Sequence, residues 1–186
     1  MVDTLAFRDE VLAGVGDLAK QPSDMQEHVL FLHQLVIGMR AKRVLEIGIC
    51  KGVSTRTLML AVALFDGQLV SIDKGPCEEA HAAIDHLALT GWWDHRKMWS
   101  RDIPEQIEGP FDLILIDGNH NYDFVKEDYE NCLPLLREGG TLVLHDSNEK
   151  KHPGVKKFVG EIWDDWHNHI TFPWGHGLTV LSGRLQ

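Results

Sequence analysis

Cysteine is scarce. The chain has three, Cys50, Cys77 and Cys132, an odd number without the spacing of a metal knuckle. A disulfide framework or a cysteine zinc site is therefore not expected. Long hydrophobic runs are missing too, and none approaches the roughly twenty apolar residues that a membrane span needs. Basic residues are outnumbered: Lys plus Arg is 18 and Asp plus Glu is 28, a formal net charge of −10. A field of that sign repels a polyanion, and the basic groups at 40–43 and 150–157 are small, so no nucleic-acid partner is expected. Asp3, Arg8, Asp9 and Glu10 replace the apolar stretch of a signal peptide, which makes a cytoplasmic location the expectation. Linkers, repeats and low-complexity stretches are also lacking. The 186 residues, 44% of them hydrophobic, suit one domain spanning 1–186.

What is present changes character near residue 41. Residues 1–40 read as two helices, the first with a stripe of Leu5, Val11, Leu12, Val15 and Leu18 that stops at Gln21-Pro22. Ser23 and Gln26 have capping-box spacing ahead of a second stripe, Val29 to Met39. Residues 41–186 then alternate strand and helix. Strands are expected at Arg43–Gly48, Gln68–Asp73, Lys97–Asp102, Phe111–Asp117 and Thr141–Asp146, with an antiparallel terminal pair around Ile170–Phe172 and Leu178–Leu181. Phe111-Asp-Leu-Ile-Leu-Ile-Asp117 is apolar at nearly every position, as in a strand buried on both faces. Alternation of this kind predicts a doubly wound α/β sheet.

In such sheets ligands bind beyond the carboxyl ends of the strands. The residues there are Glu46-Ile-Gly48, Asp73, Asp102, Asp117-Gly-Asn-His120 and His145-Asp146. Any one of these acids is as readily a turn former or helix cap; five together point to a ligand. Gly48-Ile-Cys-Lys-Gly52 is neither a dinucleotide fingerprint nor a phosphate loop, and a carboxylate just before it suits a ligand without phosphates. Asp73 ends the second strand, where an acid accepts hydrogen bonds from ribose hydroxyls. The combination favours an adenosyl cofactor with a positive centre, S-adenosylmethionine (SAM).

Val44-Leu-Glu-Ile-Gly48, Ser71-Ile-Asp73, Phe111 to Gly118, Leu135 to Gly140 and Leu142 to Asp146 together resemble the ordered motifs of class I SAM-dependent methyltransferases. Ile116 to Tyr122, Val143 to Asp146 and Pro153 to Phe158 are similar to the metal-dependent small-molecule O-methyltransferase branch, which includes catechol-type and antibiotic sugar O-methyltransferases. The resemblance implies a seven-stranded, mostly parallel Rossmann-like sheet with an antiparallel last strand. It implies cofactor contacts at Glu46, Gly48, Gly52, Ser54, Asp73, Asp102 and Asp117. Asp117 and Asp146 match the branch's divalent metal ligands, with Mg²⁺ suited to their hard oxygens, and His120 falls where the branch places its general base. The third ligand departs from the family pattern: Ser147, Asn148 or water would complete the set.

The acceptor implied is a small hydroxylated molecule, and a homodimer is left open. Two rival readings stand beside this one: a metal-independent methyltransferase on another acceptor atom, and a SAM-binding regulatory protein without catalysis. Of the 11 histidines, His167, His169 and His176 read as surface or loop residues, and Trp92, Trp93 and Trp99 as fillers between helix and sheet. The N-terminal helices are expected to help close the site beside the cofactor edge.

Overall fold

β4 (Phe111–Ile116) is the centre of the sheet, and its side chains alternate between two cores. Leu113 and Leu115 pack with Val44, Val143 and the apolar stripes of helices on one face. Phe111, Ile114 and Ile116 pack with Leu45, Leu142, Leu144, Val125 and Phe158 on the other. A strand buried on both sides needs apolar residues at both phases of the period-2 pattern, which is what Phe111-Asp-Leu-Ile-Leu-Ile supplies. Truncating one such leucine to alanine costs about 2–5 kcal/mol.

The computed structural model describes residues 4–87, 90–148, 150 and 153–185, with side chains from residue 9 onward. In chain order come α1 (Thr4–Leu18), α2 (Val29–Met39), β1 (Arg43–Ile47), α3 (Val53–Ala63), β2 (Gln68–Asp73), α4 (Glu78–Asp85) and β3 (Trp93–Lys97). After α5 (Ile103–Gln106) and β4 follow α6 (Tyr122–Cys132), β5 (Leu136–His145), α7 (Gly154–Ile162), β6 (Trp166–Phe172) and β7 (Leu178–Arg184). The seven strands lie in the order β3-β2-β1-β4-β5-β7-β6. β1 to β5 pair in parallel, and β7 runs antiparallel to both its neighbours. Strand order reverses between β1 and β4, where Ile47 stands opposite Ile116, so the crevice of a doubly wound sheet opens just past Gly48 and Asp117. Among the described residues no helix is long and apolar enough to cross a membrane.

Several local expectations are corrected. The third strand is Trp93–Lys97, not Lys97–Asp102. It is the sheet's edge, half exposed, so it lacks the apolar signal of a central strand, and Ser100–Asp102 leaves the sheet as a single 3₁₀ turn. The capping box does not form. Gln26 instead donates through Nε2 to the Ala19 carbonyl (3.2 Å), and Met25 precedes the turn without a side-chain cap. Gly139-Gly140 lies inside β5 at a register shift against β4 rather than before the strand. The last helix ends at Ile162, and β6 begins at Trp166. Pro134 ends α6 as expected, within a 3₁₀ turn of Leu133–Leu135.

α1 buries Val11, Val15 and Leu18 in the first core, so its stripe is core packing rather than a cofactor edge. Leu5, as a side chain, and His152 lie outside the described residues.

Candidate active site

Four strand ends build the site, beginning with the loop after β1. Gly48 has φ +94°, and a Cβ there would collide with the Asp117 carbonyl oxygen, so only glycine lets β1 and β4 close up at this point. Gly52 (φ +76°) serves packing: a Cβ would come 2.6 Å from that of Ala80 on α4. Glu46 lies beneath the loop, fully buried. The Trp93 indole N–H donates to Ser71 Oγ (3.0 Å), and that hydroxyl donates to Glu46 Oε2 (2.6 Å). Burial pushes the Glu46 carboxyl up to about 7, with the Ser54, Ser71 and Thr55 hydroxyls pulling the other way.

Asp73, at the end of β2, ties this loop down. Its Oδ2 accepts from the Ile49 N–H (3.0 Å) and the Cys50 N–H (3.5 Å), and its Oδ1 accepts from the Gly75 N–H (2.8 Å). Burial alone would raise this carboxyl; the backbone donors outweigh it and hold the group below its ordinary range.

Beside Asp73 opens a cavity of about 340 Å³ with apolar walls from Ile72, Met98, Trp99 and Phe124. Ser100 and Asp128 also line it, whereas Asp102 and Glu46 are not among its lining residues. Trp99 thus belongs to a cavity, with Lys74 and Arg101 each about 5 Å from its ring, while Trp92 and Trp93 pack on the core. Asp128 escaped sequence reasoning, although a signal existed: it is an acid on the buried stripe of α6, between Val125 and Cys132.

A second cavity, about 900 Å³, lies on the other side of the same crevice. Its walls include the α1–α2 connector from Gln21 to Glu27, Ser54 on α3, and His120 and His176. The part of the N-terminal region at the site is therefore this connector, on the side away from Asp73. Cys50, Asp117 and Gly118 border both cavities.

At that junction five side chains from three segments converge. Asp117 follows β4; Asp146 follows β5 in the left-handed region (φ 58°). His145 is buried between them, its Nδ1 3.0 Å from Asp117 Oδ1 and 3.1 Å from Asp146 Oδ2. His120 Nε2 lies 2.9 Å from Asp146 Oδ2, and His176 Nδ1 lies 3.0 Å from Asp146 Oδ1. Burial opposes charge on His145, but the carboxylates of Asp117 and Asp146 raise it to about 10, so the ring is a cation at neutral pH. Burial likewise opposes charge on Asp146, yet hydrogen bonds from His120 and His145 hold it well below the carboxylate range. The Asp146 hydrogen bond raises His120 above its ordinary value. His176 lies in the loop between β6 and β7, as expected, but its ring is also a partner of the site, and His145, given no role in the sequence reading, is its centre.

The donors fit a divalent cation. One atom each from Asp117, His120 and Asp146 lie within 4.8 Å of one another. The buried Ser147 hydroxyl has no hydrogen-bond partner among the described residues, as a ligand-completing group would. Two carboxylates suit Mg²⁺; an imidazole in the set would widen the choice to transition metals.

Residues 45–147 match the family model described as "Methyltransferase domain". The chain belongs to that family. A curated relative of the chain, the uncharacterized protein y4gI of Sinorhizobium fredii (strain NBRC 101917 / NGR234), is 28% identical over 162 residues, covering 79% of the chain. The chain spans only 18% of that relative's length. Among solved structures it is similar to the SAH-bound methyltransferase PaMTH1 of Podospora anserina (17% identity, TM-score 0.74, 99% of this chain and 89% of that one). It is also similar to the O-methyltransferase TomG of Streptomyces achromogenes, involved in tomaymycin synthesis and solved with SAM (21%, TM-score 0.69, 92% and 89%). An O-methyltransferase from Bacillus cereus in complex with SAH gives 21%, TM-score 0.69, 95% and 90%. These likenesses show that the chain has the Rossmann-like methyltransferase fold.

Proposed function

We propose that the chain transfers a methyl group from SAM to a hydroxyl oxygen of a small molecule, with divalent metal assistance. The observation that carries this reading is the meeting of two cavities at Asp117, beside a group of acids and imidazoles. The smaller cavity, flanked by Gly48 and Asp73, takes the adenosyl part; the larger one takes the acceptor. Asp73 accepts from three backbone N–H groups and from the Cys77 thiol, and a ribose hydroxyl would replace the thiol, the weakest of these donors. Ser54 lines the larger cavity and Asp117 the junction, the remaining contacts in this assignment. Glu46 and Gly52 act on the cofactor indirectly, by supporting the loop, and Asp102 has no place in the proposed site.

SAM, when bound, supplies a sulfonium methyl that passes to the acceptor oxygen as the S–CH₃ bond breaks, leaving SAH. A divalent cation held by Asp117 and Asp146, with Ser147 completing the set, supplies Lewis acidity that lowers the acceptor hydroxyl's pKa. His120 takes the hydroxyl proton on its ring, and Asp146 stabilises the imidazolium that forms. His145 holds Asp117 and Asp146 in register and offsets their mutual repulsion.

One observation favours a second reading, transfer without metal: the His145 cation already lies between the two carboxylates. Calorimetry with SAH and Mg²⁺, followed by methyl-transfer assays in excess chelator, separates the readings. Metal binding that is lost in Asp146→Asn while SAH still binds supports the first. Full activity in chelator supports the second. SAH binding without turnover on any hydroxylated acceptor defeats both and leaves a binding protein.

A further inference from the structure

Asp128 is a charged residue on the buried stripe of α6, only 4% exposed. No Lys, Arg or His forms an ion pair with it among the described residues, and the Ser100 hydroxyl beside it favours its charged form. Burying a carboxyl without a cation is costly, and packing alone would place an apolar residue here. The surroundings are shaped to admit the group. Asp128 Oδ2 stands 3.0 Å from where a Cβ on Gly118 would be, so the acid reaches the β4 loop only because residue 118 has no side chain. Asp128 and Ser100 line the smaller cavity together with Met98, Trp99 and Phe124. A slot with apolar and aromatic walls and a single buried carboxyl suits a flat heterocycle that presents an N–H edge.

We propose that Asp128, positioned by Ser100, accepts a hydrogen bond from the exocyclic amino group of the donor's adenine and so selects a 6-aminopurine over a 6-oxopurine. The assignment rests on the SAM reading of this cavity. A 6-oxopurine turns a carbonyl oxygen toward the carboxylate where adenine turns an N–H, leaving two acceptors facing each other in a buried slot.

The test is calorimetry at pH 8, above the value of about 6 to which burial pushes the Asp128 carboxyl, with SAH and S-inosylhomocysteine as probes. The wild-type protein should bind SAH at least about tenfold more tightly. Asp128→Asn offers an amide N–H to the 6-oxo group, so it should weaken SAH and strengthen the inosyl compound, bringing the ratio to about one or below. Should that variant fail to fold, Ser100→Ala carries the same readout and should narrow the ratio. Equal affinities for the two probes in the wild type overturn the assignment whatever the variants do. A variant that weakens both probes equally makes Asp128 a structural residue and also overturns it. Failure of the wild type to bind SAH at all overturns the cofactor reading, and this assignment falls with it.

Discussion

Asp73 and Asp146 both follow central strands, yet they are satisfied in opposite ways. Asp73 accepts N–H bonds from Ile49, Cys50 and Gly75, donors fixed by the loops next to it. Asp146 is held by three imidazoles, His120, His145 and His176, carried by three separate parts of the chain. Backbone donors cannot give up their protons, so Asp73 forms a fixed wall. The His120 ring can take up a proton, and its hydrogen bond to Asp146 favours the charged form, so the Asp146 side can hold one. The same residue type at equivalent strand ends thus acquires a fixed or a titratable set of partners from its surroundings.

The largest expected effect tests the chemical side. His120→Ala should lower turnover about 10²–10⁴-fold while SAH affinity in calorimetry stays at the wild-type value. An undiminished rate would remove His120 as the base. Unchanged metal affinity in the same variant would keep it out of the ligand set, and lost metal affinity would put it in.

Acid should next separate the imidazole-rich side from the cofactor side. Burial lowers His28 and His33 from 6.5 to about 4. The unfolded chain takes up these protons near pH 6.5, which the folded chain refuses until about pH 4. Their contribution to stability is therefore full above pH 6.5 and is lost as pH falls toward 4, by about 3 kcal/mol per histidine. Glu46 works in the other sense: raised from 4.5 to about 7, it contributes most below pH 4.5 and loses that contribution as pH rises through 7. Glu46 and Asp128 oppose the two histidines over this range, so the test is the difference: in urea denaturation from pH 7 to 4.5, His33→Leu should lose less stability, or gain more, than the wild type. An unchanged slope would mean that His33 is not titrating in this way.

The smallest effect tests the fixed wall. Asp73→Ala should weaken SAH binding by about 1.5–3 kcal/mol, while turnover at saturating SAM remains close to wild type. A drop in turnover with unchanged SAH affinity would erase the distinction between the two acids.

Much of the fold was legible in the chain because the local signals agree. The apolar run at 111–116 marks the central strand, and Asp66-Gly67 and Pro134 stop helices where turn chemistry requires. The strand-terminal acids marked the site because topology puts all such ends on one side of the sheet. The edge strand Trp93–Lys97 was missed because half-exposed side chains carry no period-2 pattern. The expected capping box does not form because Gln26 finds the Ala19 carbonyl instead.

The sequence by itself therefore determined the alternating strands and helices, the glycine-tight turn at Gly48, and which strand ends carry acids. Only the tertiary structure decided the partners of those acids. His120 reaches Asp146, and His145 reaches Asp117, because β5 lies beside β4, and His176 reaches Asp146 because the segment before β7 folds back over the same strand end. Asp102 was turned away by one 3₁₀ turn, and Asp128 was brought to the cavity by the packing of α6. The physical reason is range: hydrophobic periodicity and turn chemistry act over a few residues, whereas a charged group's neighbours within about 4 Å come from segments tens of residues apart.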